Sequence, residues 1–185
     1  MSSWRLFPTD YWAYWEDGFS TAECKKIIEL GESKTLSRGT VIGGKEVRES
    51  DIVFIHPDDD SIWLFQKITG IVNAINDKFF RFDLTGMVEG LQFTKYEAPG
   101  GYYGKHVDAA GTVPVRKLSF TLQLSDPNEY EGGDLCLYFN DEPIRVNRKQ
   151  GFVAVFPSWA LHEVEPVTKG TRYSLVVWIT GAAFR

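Results

Sequence analysis

The chain changes character near residue 87, and that change limits what it can fold into. Before it, apolar residues recur at helical spacing. After it, short runs rich in β-branched and aromatic residues alternate with turn residues, over 91–97, 117–124, 134–139, 144–146, 152–156, 161–164 and 172–180. Short strands in such close succession predict a β-sandwich or barrel.

The first half supplies helices for that barrel. Ser20-Thr21-Ala22-Glu23 reads as a capping box, so a helix starts there, runs to about Leu30 and stops at Gly31. A second helix follows Asp58, Asp59 and Asp60, whose charge suits the positive end of a helix dipole and reads as a solvated cap. Phe65, Ile68, Ile71, Val72, Ile75 and Phe79 then share one apolar face. Two helices packed outside the barrel would cover one of its sheets. Between them, "SRGTVIGGKEVRES" is glycine-rich and polar, and its 37–47 portion reads as a mobile hairpin or lid before the strand-like "DIVFI".

With no internal repeat or linker, the 185 residues read as one domain, a helical support over about 1–86 and a β core over about 87–181. The aromatics Trp4, Phe7, Tyr11, Trp12, Tyr14 and Trp15 are too many to be exposed together, and should pack on the barrel or form an oligomer interface. A net charge of −5 argues against a nucleic-acid partner. No apolar run is long enough to span a membrane, and the first residues lack the pattern of a signal peptide. Cys24 and Cys136 alone make no disulfide framework, and read as small apolar residues in a helix and a strand. The expectation is a cytoplasmic protein.

Chemistry concentrates in the second half. In an extended segment His106 and Asp108 face one side and Val107 the other. By itself this H-x-D also fits a surface His–Asp hydrogen bond. Of the remaining histidines, His56 in "HPDDD" sits in a turn and is expected to be exposed, whereas His162 opens a short strand. His162 alone fits a hydrogen-bonded core histidine equally well. Two imidazoles and a carboxylate from separate segments make a facial triad that suits non-haem Fe(II) and leaves positions open. Zinc accepts the same donors, but the helical HExxH pattern of its catalytic sites is absent.

Ten residues after His162 comes "RYSLVVWI", in which Arg172, Ser174, Val176 and Trp178 share a face opposite Tyr173, Leu175, Val177 and Ile179. An arginine heading so apolar a strand needs an anion, and its planar fork suits a carboxylate. An internal salt bridge or a solvent-reaching strand end would also answer.

Taken in order, these elements resemble the Fe(II)/2-oxoglutarate dioxygenase superfamily over about residues 88–181, and within it the prolyl 4-hydroxylase branch. "YEAPGGYYGKHVD" is similar to that branch's Y-x-x-G-x-x-Y-x-x-H-x-D element, "YEGGDLCLYF" to its E-G-G-x-L turn, and "GFVAVFPSWALHEVEPVTKGTRYSLVVWI" to its closing segment. "VRESDIVFI" resembles the arginine-led strand beside the branch's peptide-binding cleft. The resemblance implies a mainly β fold with flanking helices, a double-stranded β-helix (jelly-roll) core with the N-terminal helices on one sheet. It implies that His106, Asp108 and His162 hold Fe(II), that Arg172 pairs with the distal carboxylate of 2-oxoglutarate, and that Tyr96 contacts this co-substrate. Ser174, Tyr103, Thr121, Gln123 and Trp178 are further candidate cofactor-binding residues, and Arg48 a candidate substrate contact. Aspartate at 108 argues against a halogenase variant.

The implied reaction is O2-dependent hydroxylation of a C–H bond, of a prolyl residue in a peptide or protein, with release of succinate and CO2. Ascorbate is a candidate further cofactor. Hydroxylation of lysyl residues, a free amino acid or another small molecule is the alternative, and a silent jelly-roll ligand-binding module a third reading.

Overall fold

The computed structural model describes residues 11–39, 48–109 and 115–183. Trp4, Phe7 and positions 40–47 of the expected lid lie outside the described residues.

Helix α1, Thr21–Glu32, begins with the expected capping box: the Glu23 amide donates to Ser20 Oγ, while Glu23 Oε2 accepts from the Ser20 amide at 2.8 Å. It does not stop at Gly31, which lies inside the helix and is buried. A Cβ there would sit 2.5 Å from Cγ of the buried Phe93 ring. The glycine therefore serves close approach of helix to sheet, and not a C-cap. Gly31→Ala gains up to about 1 kcal/mol of helix propensity but forces an overpacking cost of about 1–3 kcal/mol against a ring with no room to move. We expect a net loss, read as a lower urea midpoint at unchanged m; a higher midpoint would contradict this account.

Ahead of the second helix only Asp58 of the three aspartates folds back in a cap, its Oδ1 accepting from the Ser61 amide and hydroxyl at 2.9 and 2.6 Å. Helix α2, Ile62–Ile75, buries Phe65, Ile68, Ile71, Val72 and Ile75, and continues into a π-helical turn, Asn76–Phe80, which brings Phe79 onto the same core.

The described residues also hold fourteen strands: β1 Ala13–Trp15, β2 Ser37–Arg38, β3 Arg48–Glu49, β4 Asp51–Ile55, β5 Leu84–Gly86, β6 Leu91–Glu97, β7 Tyr102–His106, β8 Val115–Gln123, β9 Tyr130–Gly132, β10 Leu135–Tyr138, β11 Ile144–Arg145, β12 Val153–Pro157, β13 Leu161–Val164 and β14 Val167–Gly181. One sheet runs β1-β12-β8-β14-β6-β4-β2, with β5 and β9 also on β14; the other runs β11-β10-β13-β7-β3. All pairings are antiparallel, and the two sheets form the jelly-roll core.

Why the strands sit as they do is visible in β12. Val153 and Val155 face the core shared with the helices, while Ala154 and Phe156 face the core between the sheets. Both faces are covered, so the strand is apolar throughout. The helices cover the outer face of the larger sheet, with Leu64 and Ile68 in one cluster with Phe93, Leu122 and Leu175. The N-terminal aromatics divide likewise: Trp12 and Tyr14 pack on the inter-sheet core, Trp15 on the helix-side core, and the half-exposed Tyr11 stacks on Phe139.

Four strands were not expected. β1, β5 and β9 are three residues long and exist by pairing with β12 or β14. β7 forms from the glycine-broken "YYGKH" because β13 and β3 flank it. Pairing with β9 also draws β14 back to Val167, five residues before Arg172. No helix among the described residues is long and apolar enough to cross a membrane.

Candidate active site

β7 and β13 carry the two histidines to one place. His106 ends β7 and is the cross-strand partner of His162 on β13, with ring centroids 4.1 Å apart. The Nδ1 atoms lie 2.7 Å from the Gly104 carbonyl and 2.9 Å from the Ala160 carbonyl. A carbonyl only accepts, so each Nδ1 carries the ring proton and each Nε2 is left as a lone-pair donor.

Asp108 lies just beyond β7, in a turn and not in extended strand, yet it faces the imidazoles while Val107 is exposed. Its amide and that of Ala109 both donate to the Ser158 carbonyl at 2.9 Å, which pins the turn against the end of β12. Asp108 Oδ1 is 3.6 Å from His106 Nε2, and Oδ2 is 3.5 Å from His162 Nε2. These gaps are too long for good hydrogen bonds. Two donors at right angles about one ion, each about 2.1 Å from it, lie about 3 Å apart. The ligand atoms of the three residues all fall within 4.8 Å of one another, so a small inward adjustment fits a metal of the Fe(II) class.

The electrostatics suit a cation. Burial pushes the Asp108 carboxyl up, but His162, His106 and the Ser119 hydroxyl outweigh it and hold the group well below its usual range. Burial lowers His162, against the opposing pull of Asp108. Both directions favour metal binding: a carboxyl readily deprotonated and an imidazole on which burial disfavours a proton.

In the same cavity, Arg172 is 1 % exposed. Its Nη2 donates to Gln123 Oε1 at 2.9 Å and its guanidinium lies 5.3 Å from the Tyr96 ring centroid, but Nε and Nη1 have no partner. No carboxylate among the described residues forms an ion pair with it. A buried, half-satisfied cation costs several kcal/mol unless an anion joins it. Nε and Nη1 are the two groups left free to take one.

Other expected residues divide. Tyr96, Thr121, Ser174 and Trp178 line the cavity from the larger sheet and Tyr103 from the smaller. Thr121 Oγ1 and Trp178 Nε1 are buried there without partners. Tyr103 lies flat on His106, centroids 3.5 Å apart. Gln123 does not line the cavity; it braces Arg172 from behind. Arg48 donates to Ser50 Oγ at 2.6 Å and rests 4.6 Å from the Tyr103 centroid, while Arg38 takes the neighbouring carboxylates Glu49 and Asp51. His56 is exposed and outside the metal-type cluster.

Sequence reasoning missed three residues here. Ser119 donates to Asp108 Oδ2 at 2.7 Å. Arg116 pairs with Glu89 through both carboxylate oxygens and packs 3.7 Å from the Trp178 ring centroid. Only Ser119 left a signal, sharing a strand face with Thr121 and Gln123.

Residues 91–180 match the model of the 2OG-Fe(II) oxygenase superfamily. A PKHD-type hydroxylase of Stutzerimonas stutzeri is 32% identical over 181 residues, covering 90% of this chain and 68% of that protein. The chain belongs to the 2OG-Fe(II) oxygenase superfamily. A PKHD-type hydroxylase of Prochlorococcus marinus is 44% identical over 99 residues, 53% of this chain and 44% of its own length. The chain thus spans about half the length of several curated relatives it matches. In fold it follows the prolyl-4-hydroxylase-like members of the superfamily. A Pseudomonas putida prolyl-4-hydroxylase superposes with a TM-score of 0.75 at 22% identity over 95% of both chains. A Trichoplax adhaerens prolyl hydroxylase, solved with a hypoxia inducible factor peptide fragment, gives 0.78 at 19% identity, over 94% of this chain and 84% of that one. The superfamily's metal is Fe(II) and its co-substrate 2-oxoglutarate, used with O2, and the His-Asp-His donor set fits them.

Proposed function

We propose that this oxygenase hydroxylates an unactivated C–H of a prolyl residue in a peptide or protein. One oxygen atom of O2 enters the new C–O bond and the other enters succinate, as 2-oxoglutarate loses CO2. The observation that carries the reading is one cavity lined by both the His-Asp-His cluster and a buried arginine whose Nε and Nη1 have no partner.

In this reading His106, Asp108 and His162 hold Fe(II). The bound iron supplies the activation of O2 that couples co-substrate decarboxylation to C–H oxidation. Arg172 receives the distal carboxylate of 2-oxoglutarate on its free Nε and Nη1, a charge-assisted and two-pronged contact. Ser174 and Tyr96 flank that carboxylate, and Thr121 and Trp178 offer the cavity's remaining free donors. The apolar walls exclude water from the reacting end. Tyr103 fixes the His106 ring by stacking, and Arg48, whose guanidinium rests on the Tyr103 ring, would meet a substrate carbonyl. The peptide preference draws support from the peptide-bound Trichoplax relative and from the arginine-led strand. Both cysteines are buried and free, which accords with a cytoplasmic setting.

The test is anaerobic loading with Fe(II) and 2-oxoglutarate, then O2 exposure with a proline-containing peptide library. Succinate and hydroxylated peptide should appear together. Full iron loading without succinate from any substrate would leave a binding module instead of an enzyme.

A further inference from the structure

Ser119 is fully buried on β8, opposite Trp178 on β14 and Phe156 on β12. Its Oγ lies 2.7 Å from Asp108 Oδ2 and 3.1 Å from Oγ of the equally buried Ser158. A hydroxyl carries one proton, and a carboxylate can only accept. Ser119 therefore gives its proton to Asp108, and Ser158 is left to donate back. Serine is a poor choice inside a fully buried strand unless its hydroxyl is used.

A carboxylate beside a metal can bind through one oxygen or chelate through both. The difference decides what else fits. Three protein donors on a six-coordinate ion leave three positions, enough for a chelating 2-oxo acid and O2. A two-oxygen aspartate would leave two. Here Oδ2, 3.5 Å from His162 Nε2, already accepts from the Ser119 hydroxyl and is the weaker metal donor for it, while Oδ1 carries no such bond. The Ser158 carbonyl fixes the backbone on which the carboxylate would have to turn.

We infer that Ser119 is a positioning residue that holds Asp108 to one metal-binding oxygen and so keeps open a coordination site for co-substrate chelation. This rests on the reading of His106, Asp108 and His162 as metal ligands. Its effect is on what binds beside the metal more than on the metal itself.

Co(II), whose visible absorption reports coordination number, serves as the probe, titrated into the metal-free protein and then with 2-oxoglutarate. In Ser119→Ala the Co(II) spectrum should differ from that of the parent protein, and the Kd for 2-oxoglutarate on the Co(II)-loaded variant should rise about tenfold or more. Affinity for Co(II) alone should fall by less. Ser119→Thr keeps the hydroxyl and should recover most of the affinity. Ser158→Ala removes a hydroxyl of equal burial but leaves Ser119 on Asp108, and should behave as the parent. A Ser119→Ala protein with parental spectrum and 2-oxoglutarate affinity would overturn the inference alone. So would an equal loss in Ser158→Ala, which would assign the effect to core packing. Failure of the parent protein to take up Co(II) would overturn the metal reading and this inference with it.

Discussion

His162→Ala should give a folded protein that neither retains Fe(II) nor turns over 2-oxoglutarate. His162 supplies one of only three donors, and the two that remain, His106 Nε2 and one Asp108 oxygen, cannot cap a face of the ion. Removing a residue that merely orients a ligand costs about 10–100-fold in metal affinity, so loss of a ligand should cost at least that. The fold should survive. The lost contacts are the hydrogen bond from His162 Nδ1 to the Ala160 carbonyl, worth about 1 kcal/mol, and the packing of the ring on His106 and Phe156, while the strand pairing through the backbone is untouched. Isothermal titration under anaerobic conditions measures the first claim, succinate release the second, and far-UV circular dichroism the third. His56→Ala, at an exposed turn, is the matching control and should change none of them. Succinate formation that persists in His162→Ala would show that the metal is held elsewhere.

Period-two alternation makes the site's walls legible in the sequence. Arg172, Ser174 and Trp178 line the cavity from one face of β14, while Tyr173, Leu175, Val177 and Ile179 pack toward the helices. That pattern is local, because both faces of a buried strand are written in consecutive residues. What stayed hidden depends on pairing across long stretches of chain. The extended backbone at His106 is legible, but the pairing of "YYGKH" as β7 is not, because its stability comes from β13, some sixty residues on. Gly31 read as a helix stop because its true partner, Phe93, lies on another element. Ser119 and Ser158 meet Asp108 only once β8 and β12 are side by side. Gln123 shows the limit of facing alone: it shares the strand face of Thr121, yet its amide oxygen is taken by Arg172 and it does not line the cavity.

Arg172→Met separates a ligand-binding arginine from a structural one, because the two roles predict opposite signs. If the free Nε and Nη1 await a carboxylate, the substitution removes two charge-assisted contacts worth about 1.5–3 kcal/mol each, so the Kd for 2-oxoglutarate should rise by at least about two orders of magnitude. Metal affinity should be nearly unchanged, since Arg172 touches none of the three proposed ligands. The unliganded protein should be no less stable. Methionine replaces a buried cation that has no ion-pair partner with an apolar chain of similar length, a change that is often neutral or stabilising, and it gives up the bond to Gln123 and the cation's contact with the Tyr96 ring. Linkage sharpens the contrast. Ligand at about 100 times its Kd stabilises the parent by about 2.7 kcal/mol, so metal-loaded parent protein should melt higher with 2-oxoglutarate, and the variant at the same concentration should not. A structural arginine would reverse the pattern: Tm without ligand would fall on substitution, and the shift on adding 2-oxoglutarate would remain. Differential scanning fluorimetry of the two proteins, with and without the co-substrate, reads both signs in one experiment.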